Sequence, residues 1–272
     1  MTKKFEFTGE TKTIQLVSRT VTLHRIRAVA EFGLIKVGDI GGWLEKEENL
    51  SQEGESWVYG DAEVYGNARV YGNARVYGDA EVYGDAEVYG DAEVYGNARV
   101  YGNARVYGNA EVYGDAEVYG DAEVYGDAEV YGNARVYGNA RVYGNAKVYG
   151  NARVYGNAKV YGNAEVYGDA EVYGDAEVYG DAEVYGNARV YGNAKVFSAS
   201  HVMVIGAIGS RSDFTTFYRG KDQQIMVKCG CFNGNIDEFI NKVQETHGDN
   251  KYALAYRAAV EVAKLQIKLD DE

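Results

Sequence analysis

Histidines, cysteines and paired carboxylates supply most catalytic and metal-binding groups, and this 272-residue chain distributes them unevenly. Its three histidines are His24, His201 and His247, and none falls between residues 58 and 195. A general base must reach the proton it removes. His201, in "FSASHVM", is a weak candidate for that role; a structural role is the plainer expectation. His247, in "ETHGDN", ends a helical segment, where a cation suits the helix dipole. The two cysteines form "CGC", Cys229 and Cys231. At i and i+2 of a strand they share a face, and a bridge between them would be strained. No second cysteine pair completes a metal site, so reduced structural thiols are expected. No glycine-rich phosphate loop opens a helix. Carboxylates abound, but they recur as a lattice, whereas acid–base catalysis needs one distinct pair with separated pKa values. Calcium at stacked Asp corners is disfavoured because Asn corners dilute the charge. The residues therefore imply no cofactor and no metal.

What positions these groups is a repeat. The hexad Val-Tyr-Gly-(Asp/Asn)-Ala-(Glu/Arg/Lys) starts at Val58 and recurs twenty-three times, without insertion, to residue 195. A helix would carry a glycine in every hexad, at about 1 kcal/mol each relative to Ala. In a strand, alternate residues face opposite ways, so Ala and Val point inward and the charged residue and Tyr outward. Gly followed by Asp or Asn then turns the chain. Each hexad is a short strand plus a corner, and three hexads make a triangular coil of 18 residues. The chain is thus expected to be an all-β solenoid, a parallel β-helix, with a small α+β cap.

The charges support that period independently. The fourth hexad position changes between Asp and Asn in blocks of three hexads after the first coil. Glu117, Glu123 and Glu129 are followed 18 residues later by Arg135, Arg141 and Lys147. Coils stack about 4.8 Å apart, so alternating signs would replace repulsion with inter-coil pairs. Each exposed pair is worth only about 0–1 kcal/mol; their value lies in fixing the register of a nearly uniform repeat. Glu111 and Glu165 interrupt the pattern. Tyr at the second position builds three columns, represented mid-repeat by Tyr113, Tyr119, Tyr125, Tyr131, Tyr137 and Tyr143. Stacked aromatics stabilise neighbouring strands, and tyrosine-rich surfaces also suit interfaces.

"VYGNAR" resembles the hexapeptide repeat of left-handed parallel β-helix proteins, a superfamily that includes many acyltransferases. The resemblance covers about half the chain and implies the left-handed coil. Those acyltransferases use a solenoid histidine as general base, and residues 58–195 contain none. The repeat together with its flanks resembles hexapeptide-repeat proteins of bacteria and their phages, of unassigned function.

The flanks read as covers for exposed strand edges. Residues 1–56 form an N-terminal β cap and irregular first coil, with short strands at "FEF", "KTIQLV" and "TVTLHRIRAV". Residues 57–202 are the solenoid. Residues 203–272 form an α+β domain, with a hairpin around Gly220-Lys221-Asp222, then helices in "NIDEFINKVQETHG" and "NKYALAYRAAVEVAKLQIK" separated by Gly248.

The net charge of −13, of which −11 lies in the repeat, excludes a basic stripe for nucleic acid. No apolar run reaches the ~20 residues of a membrane helix, and the N-terminus lacks a secretory h-region; a cytoplasmic location is expected. The leading expectation is a capped, non-catalytic scaffold or interaction surface. Its partner would be a protein, a carbohydrate or a second copy of the chain. The alternatives are an acyltransferase-like enzyme using His201 at a subunit boundary and an acidic nucleic-acid mimic. The interspersed basic residues count against the mimic.

Overall fold

The computed structural model describes residues 3–220 and 223–269, which fall into two compact units, residues 1–145 and 146–272.

In the first unit each hexad from Trp57 onward contributes a strand of two to four residues. Strands three hexads apart pair in parallel and in register: Arg99 with Glu117, Val100 with Val118, Tyr101 with Tyr119 and Gly102 with Gly120. The coil therefore has 18 residues, and three parallel sheets result. The first face carries Val64, Val82, Val100, Val118 and Val136. The second carries Val70, Val88, Val106, Val124 and Val142. The third carries Val58, Val76, Val94, Val112 and Val130. Strand alternation puts these valines and the hexad alanines inside, and all are fully buried.

The corners bond as well as the sides. The N–H of Glu117 donates to the Ala134 carbonyl at 3.0 Å, and that of Asp121 to the Gly138 carbonyl at 2.9 Å. Gly126 shows why the corner is glycine. Its φ is +75°, and a Cβ there would lie 3.0 Å from the Gly144 nitrogen one coil on. Both the left-handed backbone and the close approach of coils exclude a side chain.

Three strands precede the coils: β1 (Phe5–Gln15), β2 (Thr20–Ala28) and β3 (Ile40–Leu44). "FEF" and "KTIQ", expected as separate strands, are one strand with an irregularity between Phe7 and Thr11, where Gly9 has φ +93°. Both β1 and β3 run antiparallel to β2, and β3 then pairs in parallel with Glu63–Val64. The antiparallel ribbon thus covers an edge the solenoid would otherwise expose. Buried Asn49 completes the first coil by donating to the Gly66 and Ala68 carbonyls at 3.2 and 2.8 Å. Lys4 is buried beside Ser56, donating to its carbonyl at 2.8 Å, and desolvation lowers its pKa to about 8.

In the second unit the hexads make three further rows per face, for example Lys159–Glu177–Lys195. A 3-10 turn, Ala199–His201, leads into an antiparallel sheet of strands Val202–Ile208, Asp213–Arg219, Ile225–Cys229 and Phe232–Asn235. Of the anticipated Gly220–Asp222 turn, Lys221 and Asp222 lie outside the described residues; the strands flanking it pair as expected. Helices α1 (Ile236–His247) and α2 (Lys251–Gln266) follow. Asn235 and Glu238 form a capping box on α1, Asn250 caps α2, and Gly248 at φ +56° stops α1. The helices bury Phe239, Val243, Tyr256 and Val260 against Phe217 and Val227. This domain joins the last coil through the Arg189 N–H, which donates to Thr216 Oγ1 at 3.2 Å, and through the contact of Tyr191 with Tyr218, centroids 6.1 Å apart.

Candidate functional site

The tyrosines form face-to-face stacks, with centroids one coil spacing apart. In the first unit Tyr113 stacks on Tyr131, Tyr119 on Tyr137 and Tyr125 on Tyr143, at 4.8–4.9 Å and within 4° of parallel. Tyr113, Tyr119 and Tyr125 each have a second ring, Tyr95, Tyr101 and Tyr107, on the other face. Both faces of such a ring are engaged within the column, so it offers a partner its edge. Near-parallel rings with centroids 4.8–4.9 Å apart lie within the range of stacked aromatic pairs, and the backbone register sets that spacing.

Many hydroxyls are also engaged. Tyr77, Tyr95 and Tyr113 donate to Glu93, Glu111 and Glu129 at 2.7, 2.8 and 3.0 Å. Partial burial and then these carboxylates push the tyrosine pKa values well above the usual phenol range. Tyr101 and Tyr107, held mainly by burial with Glu117 or Glu123 next in importance, are pushed up to about 12.

The charge columns follow the face. On the first face Glu117 sits between Arg99, whose guanidinium it meets directly, and Arg135, whose Nε lies 3.5 Å away. On the second, Glu123 sits between Arg105 at 3.4 Å and Arg141 at 3.3 Å. Glu117 and Glu123 thus each meet an arginine on the coil before and on the coil after. Glu129 belongs to the first unit and Lys147 to the second, where Lys147 is in register with Glu165.

Alternation fails once on the first face, where Glu63 and Glu81 are in register, and over a longer run on the third. There Glu93, Glu111 and Glu129 stand in register, and in the second unit so do Glu165 and Glu183. The two interruptions of the sequence pattern, Glu111 and Glu165, each fall in such a run within their own unit. Neutral donors reach these carboxylates: Tyr149 and Tyr167 donate to Glu165 and Glu183 at 2.8 and 3.0 Å, as Tyr95 and Tyr113 do for Glu111 and Glu129, and the same bond joins Tyr71 to Glu87 where a cation is also present. A hydroxyl bound to a carboxylate is a strong, charge-assisted bond, and it offsets part of the like-charge cost.

At the corners the Asn/Asp blocks have a more specific meaning than dilution of charge. The Asn amide donates to the Asp one coil later: Asn97 to Asp115 at 2.9 Å, Asn103 to Asp121 at 2.8 Å and Asn109 to Asp127 at 2.7 Å. Asn151, Asn157 and Asn163 repeat this in the second unit.

His201 is only 1% exposed. Its ring is edge-on to Phe197, and its Nδ1 accepts from the Phe197 N–H at 3.4 Å. The ring thus fastens the end of the last coil to the turn that follows it. A buried ring cannot approach a substrate proton without local opening. Among the described residues no three His, Cys, Asp or Glu side chains are grouped to hold a metal ion. No described helix is long and apolar enough to cross a membrane.

The cysteines are placed differently from the sequence expectation. Cys229 ends a strand and pairs with Phe232, so Gly230 and Cys231 form a two-residue hairpin loop, with Gly230 at φ +55°. Both thiols are free and both line a cleft of about 200 Å³ bordered by Arg211, Lys242 and His247, with Phe239 and Tyr256 beneath. The sequence signal for the loop was the glycine between the cysteines, which a strand interior disfavours.

Residues 62–78, 68–84, 92–108, 98–114, 128–144, 134–147, 146–162 and 182–197 match the family model described as the YdcK beta solenoid repeat. No curated protein matches the chain. The repeat region is therefore similar to that solenoid family, in agreement with the 18-residue parallel coils.

Proposed function

We propose that this β-solenoid repeat protein is a non-catalytic scaffold whose specific contacts are made by its C-terminal domain. The carrying observation is how much of the repeat's outward chemistry is engaged between coils. Ring faces stack on ring faces, hydroxyls reach carboxylates, Asn reaches Asp and Arg reaches Glu. Such a surface is stiff and periodic, and it lacks the single perturbed acid–base pair that catalysis needs. The C-terminal domain, by contrast, carries unrepeated features: exposed Phe214, Leu254, Val262 and Leu265, and the cleft. Burial of His201 weighs against the acyltransferase reading, and the Arg-Glu columns weigh against nucleic-acid mimicry, which needs nearly unbroken acid. The partner class remains a protein or a carbohydrate, with self-association as a third outcome.

Two deletions test this. One removes residues 82–117, two whole coils chosen so that Asn67 and Asn73 again meet an Asp and Arg69 and Arg75 again meet a Glu. The other removes residues 203–272. Partners captured from the host by the full chain are expected to survive the first deletion and to be lost with the second. The opposite pattern would move the contact surface to the solenoid. Turnover of acyl thioesters that His201→Ala abolishes would replace the scaffold reading with the enzymatic one.

A further inference from the structure

The "CGC" segment is a hairpin loop that brings two thiols to one cleft, and the scaffold reading makes no use of it. On an extended strand, residues i and i+2 lie about 6.6–6.8 Å apart, at the limit of the 4.4–6.8 Å that a disulfide spans. A right-angled turn in the Cα trace shortens that separation to about 5.4 Å, since each step is 3.8 Å. Cys229 and Cys231 flank a tight turn at Gly230, because Cys229 pairs with Phe232 across Gly230 and Cys231. The positive φ of Gly230 is what lets the loop close in two residues.

The two thiols are unequal. Cys231 is exposed. Cys229 is partly buried and fixed on both sides: Thr215 Oγ1 donates to its sulfur at 3.3 Å, and its thiol points to Tyr256 Oη at 3.6 Å. The Arg211 guanidinium stands over the loop, 3.4–3.6 Å from where a Cβ on Gly230 would be. Asp213 and the Lys242–Glu245 pair complete the charged surroundings. The cleft is large enough for the sulfur end of a small molecule, and Arg211 suits one that carries a carboxylate.

We propose that Cys229 and Cys231 form a reversible dithiol–disulfide site that exchanges with a carboxylate-bearing, low-molecular-weight disulfide. Cys231, as thiolate, attacks one sulfur of that disulfide. The S–S bond breaks, and the first thiol leaves with the proton Cys231 gave up. Cys229 then loses its proton and attacks the Cys231 sulfur, releasing the second thiol. Two electrons pass from the protein to the small disulfide, one protein disulfide forms and two small thiols are released. The reverse reaction restores the dithiol. The turn sets the distance, exposure makes Cys231 the attacking thiol, and the Thr215 and Tyr256 contacts hold Cys229 for the second step.

The test uses the full, reduced chain and oxidised glutathione as the probe, followed by alkylation of free thiols and mass analysis. The native chain should lose the mass of two hydrogen atoms and retain no glutathione. Cys229→Ser should keep one glutathione on Cys231. Cys231→Ser should acquire glutathione at least tenfold more slowly than Cys229→Ser does. Any Cys229-Gly230-Cys231 peptide can close to some degree, so the exchange constant is also measured in denaturant, where the folded chain should favour the disulfide at least tenfold more. Retention of glutathione by the native chain, linkage between two chains, equal rates for the two serine variants, or equal folded and denatured constants would each overturn the proposal.

Discussion

Reversing two charges in the middle of the first unit measures how much the columns contribute. Glu117 and Glu123 have side chains only 12% and 22% exposed, and each meets an arginine on the coil before and the coil after. Glu117→Lys with Glu123→Lys removes four ion pairs. The arginines are about half exposed, so each pair is worth about 0.5 kcal/mol, near the middle of the range for solvent-screened pairs. That gives a loss of about 2 kcal/mol. Turning each pair into a like-charge contact adds a comparable amount, for about 4 kcal/mol in all. The double Gln variant should show only the first half. The Debye length shrinks from about 10 Å at 0.1 M to about 3 Å at 1 M salt, so the Lys–Gln difference should fall by at least half at 1 M. Urea midpoints at both salt concentrations, with the slope checked for constancy, provide the measurement. If the Lys variant matched the Gln variant at low salt, or if their difference ignored salt, the inter-coil charge registry would be refuted.

Val124, fully buried in the lumen, should not tolerate Asp: an unpaired buried carboxylate should cost several kcal/mol, and a melting point unchanged within a degree or two would invert the inside–outside assignment. Gly126→Ala forces an L-residue to φ +75° with its Cβ 3.0 Å from the next coil; the backbone term alone is about 1–2 kcal/mol, to be read from the denaturation midpoint. Stability should also depend on alkaline pH in two opposed ways. The Lys4 pKa is lowered to about 8 from 10.5, so between those values the unfolded chain binds more protons and stability rises with pH; Lys4→Met should remove that rise. Tyr101 and Tyr107 are raised from 10 to about 12, so their contribution is complete below pH 10 and is lost as pH climbs towards 12, which parallel tyrosinate absorbance and unfolding curves would reveal.

The coil was legible because each hexad position has one physical task. Val and Ala can only be inside, Gly alone fits the corner, and the charge blocks repeat at multiples of 18. The third-face exceptions were not legible coil by coil. They emerge once residues are sorted by column, where Glu93, Glu111 and Glu129 align and a neighbouring hydroxyl answers each carboxylate. The Asn-to-Asp bonds depend on one amide reaching one coil forward, a distance that composition does not encode. His201 was a candidate only by residue type, and its burial against Phe197 comes from tertiary packing at the coil's end. The cysteine loop was misjudged by treating "KCGCF" as continuous strand, when a glycine at positive φ had already ended it.

The Asn-to-Asp bond is directional, because only Asn carries the amide donor and the acceptor lies 18 residues downstream. That gives the sequence a grammar of paired coils, with a true repeat unit of 36 residues wherever the two kinds alternate. Genes with such tandem repeats gain and lose copies by slippage during replication. A slip of 36 codons preserves every Asn-to-Asp pair, whereas a slip of 18 within an acidic block places Asp over Asp, which lacks an amide donor; Asn over Asn keeps both a donor and an acceptor. Natural length variants of this chain should therefore gain single Asn coils more readily than single Asp coils. The run of asparagines at the fourth hexad position from Asn133 to Asn163, two coils of one kind in succession, fits that tolerance, because a carboxamide can donate to the carboxamide one coil on.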